Sequence, residues 1–335
     1  MLHENSLGYE SPMNHGPWLW AVFNLFIVFM LVLDLRVFHK QAHEVKIKEA
    51  LLWSAFWIFL SLLFNAGVYF FEGSEVALQF FTGYIIEKSL SVDNLFVFLM
   101  IFSYFKVPAK YQHKVLFWGI VGALLMRGLL IFVGVTLIRQ FHWILYIFGA
   151  FLVFTGIKMA FQDEAVDIHP ESNIFVRLFK KILPITAGYH GGKFFIRAEK
   201  KIYATLLFVV IIVVETTDLV FALDSIPAVF AITRDPFIVY TSNVFAILGL
   251  RALYFALAGL LDLFHYLKFG LSIVLAFIGV KMLIESFYDM PITIALGVVV
   301  GVLTISIIAS ILLPKKEKPT LPPGLSELQK DPDHA

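Results

Sequence analysis

Apolar runs of roughly bilayer length recur along this chain from residue 18 to residue 313, and that pattern leaves few folds open. Hydrocarbon offers no water to backbone N–H and C=O groups. A continuous apolar run must therefore satisfy them within itself, as a helix. The runs fall at 18–38, 50–71, 76–105, 115–138, 142–161, 203–232, 238–261, 267–288 and 291–313. The expectation is an all-α polytopic membrane protein of about nine transmembrane helices in a single domain, residues 1–313, with a disordered cytoplasmic tail at 314–335. Composition agrees, because 59% hydrophobic and 15% charged residues with 36 Phe lie far outside the range of soluble domains. The first run is too long for a signal peptide, and no basic segment precedes it, so it reads as a retained helix. The chain has no cysteine, which excludes disulfides and thiolate metal sites. A net charge of +1 without a basic stripe gives no footing for nucleic acid. The bilayer is the expected partner, and a homo-oligomer is an allowed assembly.

Lysine and arginine orient the chain. The tail 1–17 has neither. Connections 39–49, 106–114 and 162–202 and the C-terminal tail are rich in both, whereas the opposite side offers only Arg139 and Arg234. This places the N-terminus outside and the C-terminus in the cytoplasm. Within the cytoplasmic loop 162–202, residues 174–183 read as a short basic amphipathic helix on the inner leaflet.

One stretch occurs twice. Glu87-Lys-Ser-Leu-Ser-Val-Asp93-Asn94 and Asp218-Leu-Val-Phe-Ala-Leu-Asp224-Ser225 share the form acid, five residues, Asp, small polar residue. Two further landmarks follow each copy in the same order: mid-span Arg127 or Arg251, then Phe154-Thr-Gly156-Ile-Lys158-Met159 or Phe277-Ile-Gly279-Val-Lys281-Met282. Helices 3–5 (repeat one, 76–161) thus match helices 6–8 (repeat two, 203–288). Three is an odd number, so the copies cross in opposite senses. Such an inverted repeat is typical of secondary transporters, whose sites lie near the midplane at the repeat interface.

Glu87, Asp93, Glu215, Asp218 and Asp224 all fall inside the third and sixth runs. Each central acid costs roughly 2.5–3.5 kcal/mol to insert, so the set must be compensated by a cation, protons, basic side chains or water. Glu215 and Asp218 share a helix face, whereas a six-residue offset puts Glu87 and Asp93, and likewise Asp218 and Asp224, on different faces of an unbroken helix. Pro227 favours a break that would re-aim the pair and free backbone carbonyls. Asn94 and Ser225 add neutral oxygens. The metal-ligand candidates are therefore Glu87, Asp93, Asn94, Glu215, Asp218, Asp224 and Ser225, an all-oxygen set suited to hard divalent ions such as Mn2+, Mg2+ or Ca2+. Lys88, Arg127 and Arg251 supply internal counter-charge, and the two arginines are the strongest candidates for a purely structural role. Asn65 and Asn243 could donate to the site, although an asparagine in such a span more often bonds across helices as packing. Glycines such as Gly119, Gly122, Gly128, Gly134, Gly249 and Gly259 permit close helix approach. His113, His142, His169, His190 and His265 read as surface groups, and the Phe-rich faces as lipid contacts. No Walker, G-x-S-x-G or H-E-x-x-H motif is present.

The segments Glu87-Lys-Ser-Leu-Ser-Val-Asp-Asn-Leu-Phe-Val-Phe98 and Glu215-Thr-Thr-Asp-Leu-Val-Phe-Ala-Leu-Asp-Ser-Ile-Pro-Ala228, with Phe64-Asn65 and Ser242-Asn243-Val-Phe-Ala-Ile-Leu-Gly-Leu-Arg-Ala-Leu-Tyr254, resemble the TerC family, in its bacterial Alx-like branch. That resemblance implies a cation-exporter superfamily built from paired three-helix units. It also implies a bacterial inner-membrane location and export of Mn2+ as the transported substrate. The reading is a secondary transporter working by alternating access, with proton exchange as a further hypothesis. Two other classes stay open from the residues: a membrane scaffold held by intramembrane ion pairs, and an intramembrane enzyme using paired carboxylates as acid and base.

Overall fold

The fold is that of a computed structural model, and it describes residues 16–38, 47–141, 143–161, 174–186, 188–198, 201–257, 266–288 and 290–313. The expectations for the tail 314–335, for the first residues of the N-terminal tail, for most of the connection 39–49 and for His142, His169, His265 and Gly259 lie outside the described residues. So do the side chains of Asp93, Arg36 and Lys180.

Eleven α-helices are described: α1 (Pro17–Phe38), α2 (Ile47–Glu72), α3 (Ser74–Tyr104), α4 (Ala109–Gln140), α5 (Ile144–Phe161), α6 (Ile174–Ile182), α7 (Leu206–Phe230), α8 (Pro236–Leu248), α9 (Leu250–Leu257), α10 (Leu267–Ile284) and α11 (Ile292–Leu312). A small antiparallel hairpin, β1 (Phe195–Ala198) and β2 (Lys201–Ala204), precedes α7. The chain is an all-α polytopic membrane protein. Among the described residues, seven helical segments are long and apolar enough to cross a bilayer: α2, α4, α5, α7, α8 with α9, α10 and α11. The sequence leads one to expect nine. The other two runs correspond to α1, which is apolar over Pro17–Leu33, the part whose side chains are described, and to α3, which has the length but carries Glu87, Lys88 and Asp93 in its middle.

Two local expectations are corrected. No break separates Asp218 from Asp224, because α7 is continuous through Pro227. Proline removes one N–H, so the rung lost is the one Pro227 would make back to the Leu223 carbonyl, and the helix continues past it to Phe230. Likewise α3 runs unbroken past Glu87 and Asp93. The interruption comes elsewhere, at Gly249 between α8 and α9. A Cβ at Gly249 would lie 2.7 Å from Lys88 Nζ and 3.2 Å from Trp57 Cβ, so the missing side chain makes room for a buried ammonium group.

The helices assemble through small residues. On α2, Ala50, Ser54, Trp57, Ser61 and Val68 form one buried stripe at three-, four- and seven-residue spacing, facing α3 and α9. The most extensive contact joins α5 to α10. A Cβ at Gly149 would meet the Gly279 carbonyl at 3.0 Å, and one at Gly156 would meet that of Ser272 at 2.7 Å. Side chains are thus absent where the two backbones touch. As numbering rises along α5 it falls along α10, so these helices run antiparallel. Around them α3 packs on α8 and α4 packs on α7. The Phe residues divide: Phe59, Phe70, Phe71, Phe132, Phe154 and Phe161 are exposed, as a lipid-facing role requires. Phe23, Phe64, Phe80 and Phe245 instead build an aromatic core, with Phe64 and Phe245 ring centroids 4.9 Å apart.

The segment between α5 and α7 is tied to the α3–α4 junction. Tyr189 donates to the Phe105 carbonyl at 2.5 Å, and Lys114 Nζ donates to the Gly192 carbonyl at 2.7 Å while lying 4.5 Å from the Phe194 ring centroid. Partial burial raises the Tyr189 hydroxyl pKa above its ordinary value.

Candidate functional site

Arg127 lies near the middle of α4, almost wholly buried, and is the centre around which α3, α4, α7 and α8 converge. Its Nη1 pairs with Glu87 Oε1 of α3. Its Nε donates to Asp218 Oδ2 of α7 at 3.1 Å and its Nη2 to Asp218 Oδ1 at 3.0 Å, a two-pronged pairing. Nη1 also makes longer contacts, to Ser225 Oγ at 3.4 Å and to Asn243 Oδ1 of α8 at 3.5 Å. A guanidinium keeps its charge under all ordinary conditions. It therefore compensates two carboxylates that the bilayer interior would otherwise exclude.

Helical spacing accounts for the arrangement. Ser225 is seven residues, close to two turns, beyond Asp218, so both face Arg127. Asp224 is six beyond Asp218, about 120° away, and on an unbroken helix it faces elsewhere. It turns to α5, where it accepts a hydrogen bond from Thr155 at 3.2 Å, and Lys158 one turn on is close enough to act on it electrostatically. A single site fed by both acids of α7 is thus corrected: Asp218 and Asp224 serve different neighbours.

The remaining candidates divide similarly. Asn94 is buried on α3, two turns beyond Glu87 and on the same face. Asp93 falls on α3, its side chain outside the described ones. Glu215 is half-buried, one turn before Asp218, and its carboxylate lies against Gly122 of α4 where any Cβ would overlap it. Among the described residues, no three His, Asp or Glu side chains stand close enough together to hold a metal ion. Glu87 Oε2, Glu215 Oε2 and Asn243 Nδ2 are buried and make no hydrogen bond among the described residues. A cavity of about 20 Å3, room for one water molecule, is lined by Asp218 and Arg251 together with Gly119, Ala123 and Ile247.

Three residues prove more involved than the sequence implies. Arg127 is the hub rather than one of several dispersed counter-charges. Asn243 faces it, the site-directed one of the two readings open to it from the sequence. Thr155 partners Asp224, and nothing in its local sequence marks it. The order of landmarks was the available signal for Arg127, since an arginine recurs after each acidic segment. Lys88 donates to the Ala246 carbonyl at 3.2 Å and Lys281 to the Ala231 carbonyl at 2.7 Å, so both lysines tie helices together.

Residues 72–318, which contain α3 to α11 and both acidic segments, match the model of the integral membrane protein TerC family. The chain belongs to the TerC family. Among relatives, an uncharacterised membrane protein, STKORF319, from Myxococcus xanthus is 52% identical over 92% of this chain and 96% of its own length. Proteins named "Putative membrane-bound redox modulator Alx" from Salmonella typhi and Escherichia coli K12 are 50% and 51% identical, over 87% of this chain and 93% and 94% of theirs. No solved structure matches the chain. The family match begins at the last residue of α2, so α1 and α2 stand outside it while every residue around Arg127 falls within.

Proposed function

We propose that this TerC family protein is a secondary transporter that exports Mn2+ from the cytoplasm across the bacterial inner membrane. The observation carrying this reading is that Glu87 and Asp218, one from each acidic segment, reach the same buried guanidinium. Two acids so placed can take a hard divalent cation when that positive charge is elsewhere, with Asn94 and Ser225 as neutral oxygens nearby. Asp93, Glu215 and Asp224 are the remaining carboxylates along the path. Mn2+ is chosen among hard cations by family resemblance.

The antiparallel α5 and α10, and the reciprocal packing of α3 on α8 and α4 on α7, support reading helices 3–5 and 6–8 as an inverted repeat. Alternating access is then rocking of one unit against the other. In this reading the N-terminus lies outside and the C-terminus inside. Protons held by Glu215 when the ion leaves would couple export to proton entry. The relatives' name refers to redox. With no cysteine, this chain has no thiol–disulfide chemistry of its own, so a redox effect would follow from the cation moved.

The test is Mn2+ flux in proteoliposomes, wild type against Glu87→Gln and Asp218→Asn, with and without a pH gradient. Flux lost in both variants supports the reading, and flux indifferent to the gradient removes proton coupling. A scaffold is the second reading, favoured by the ion pairs themselves, since buried pairs also specify helix packing. It predicts that the same variants lose stability while cellular manganese is unchanged.

A further inference from the structure

We propose that Arg127 is a tethered substitute for the transported cation: its guanidinium holds Glu87 and Asp218 while the carrier is unloaded and moves off them when the divalent ion binds. This rests on the export reading above. The two carboxylates cannot give the same oxygens to a guanidinium and to a metal ion, and the two positive charges repel at that distance. The geometry provides for both states. Asp218 engages the full fork of Arg127 at 3.0 and 3.1 Å, while Ser225 Oγ and Asn243 Oδ1 already stand 3.4 and 3.5 Å from Nη1. Asn243 Oδ1, which is not one of the cation's ligand candidates, can keep the guanidinium when the acids and Ser225 are taken. Glu87 Oε2 and Asn243 Nδ2, both in side chains at least nine-tenths buried, have no hydrogen-bond partner among the described residues and border the place where the exchange occurs.

The consequence concerns the return step of transport. An exporter must reorient unloaded, and moving two bare carboxylates through a low-dielectric interior is strongly unfavourable. Arg127 neutralises much of that charge without any carried counter-ion. A carrier lacking it could cross only when loaded. It would exchange Mn2+ for Mn2+ across the membrane and not export it net.

The experiment compares net efflux of Mn2+ with Mn2+–Mn2+ exchange in proteoliposomes of the full chain, and Mn2+ binding to purified protein by electron paramagnetic resonance. In Arg127→Gln, net efflux should fall by roughly tenfold or more, exchange should stay within about threefold of wild type, and Mn2+ should bind more tightly. Arg127→Lys keeps a tethered charge and should retain net efflux. A folded Arg127→Gln that loses both fluxes alike, or keeps both, overturns the proposal. So does a folded Arg127→Lys confined to exchange. If neither variant folds, the guanidinium is a fixed strut and the proposal fails. Wild-type protein that neither binds nor moves Mn2+ overturns the export reading itself, a result distinct from any of these.

Discussion

Arg127 lays its guanidinium fork along the carboxylate of Asp218, Nε to Oδ2 at 3.1 Å and Nη2 to Oδ1 at 3.0 Å, and so fastens α4 to α7 in the interior of the protein. Both side chains are buried, so solvent does not screen the pair. The same guanidinium reaches Glu87 on α3, which makes Arg127 the joint between the two acidic segments.

Asp218→Asn removes the stronger half of that joint. Breaking a buried pair costs about 3–5 kcal/mol. The expected outcome is a clearly lowered melting temperature in detergent together with lost Mn2+ flux. A variant as stable as wild type would show that the pair does not hold α4 to α7.

Asp224→Asn should behave differently. Asp224 stands apart from Arg127 and accepts one described hydrogen bond, from Thr155. An amide can keep that bond, so the stability change should be within about 1 kcal/mol. Export should nevertheless fall if Asp224 serves the cation path. Paired thermal-melt and flux measurements check this, and unchanged flux would remove Asp224 from the path.

The α5–α10 seam tolerates no added side chain. A Cβ on Gly279 would lie 2.6 Å from the Gly149 carbonyl oxygen, and backbone cannot yield cheaply. Gly279→Ala should destabilise by about 1–3 kcal/mol. Gly297→Ala on α11 faces open space and should be neutral or stabilising by up to about 1 kcal/mol. Melting temperatures of the two variants provide the comparison.

Gly122→Ala tests the seat of Glu215. The added methyl overlaps the Glu215 carboxylate and must displace it. Reduced Mn2+ flux with little loss of folded protein is expected, because a half-buried side chain end can move aside. Flux at the wild-type level would place Glu215 outside the transport path.

Arg234 and Glu285 form a 2.5 Å pair in which each side chain is about one-third exposed. Exposed pairs contribute little, and Glu285→Gln should cost at most about 1 kcal/mol. Its melting temperature should therefore stay near wild type, in contrast to Asp218→Asn.

Much was legible in the residues alone. Long apolar runs dictate helices in a membrane, because the backbone has no other way to satisfy its polar groups. Two acidic segments in such runs demand compensation inside the protein, because bare carboxylates are excluded from hydrocarbon, and Arg127 supplies it for Glu87 and Asp218. The six-residue offset of Asp218 and Asp224 already places them on different faces of a continuous helix. Tertiary packing decided the rest. Proline alone did not break α7, which lost a single rung and ran on to Phe230, and the interruption fell at Gly249, where the Lys88 ammonium packs. That Glu87, Asp218, Ser225 and Asn243 would converge on Arg127 depends on how α3, α4, α7 and α8 rotate against one another. Those rotations are set by side chains meeting across helices, and no local pattern within one helix encodes them.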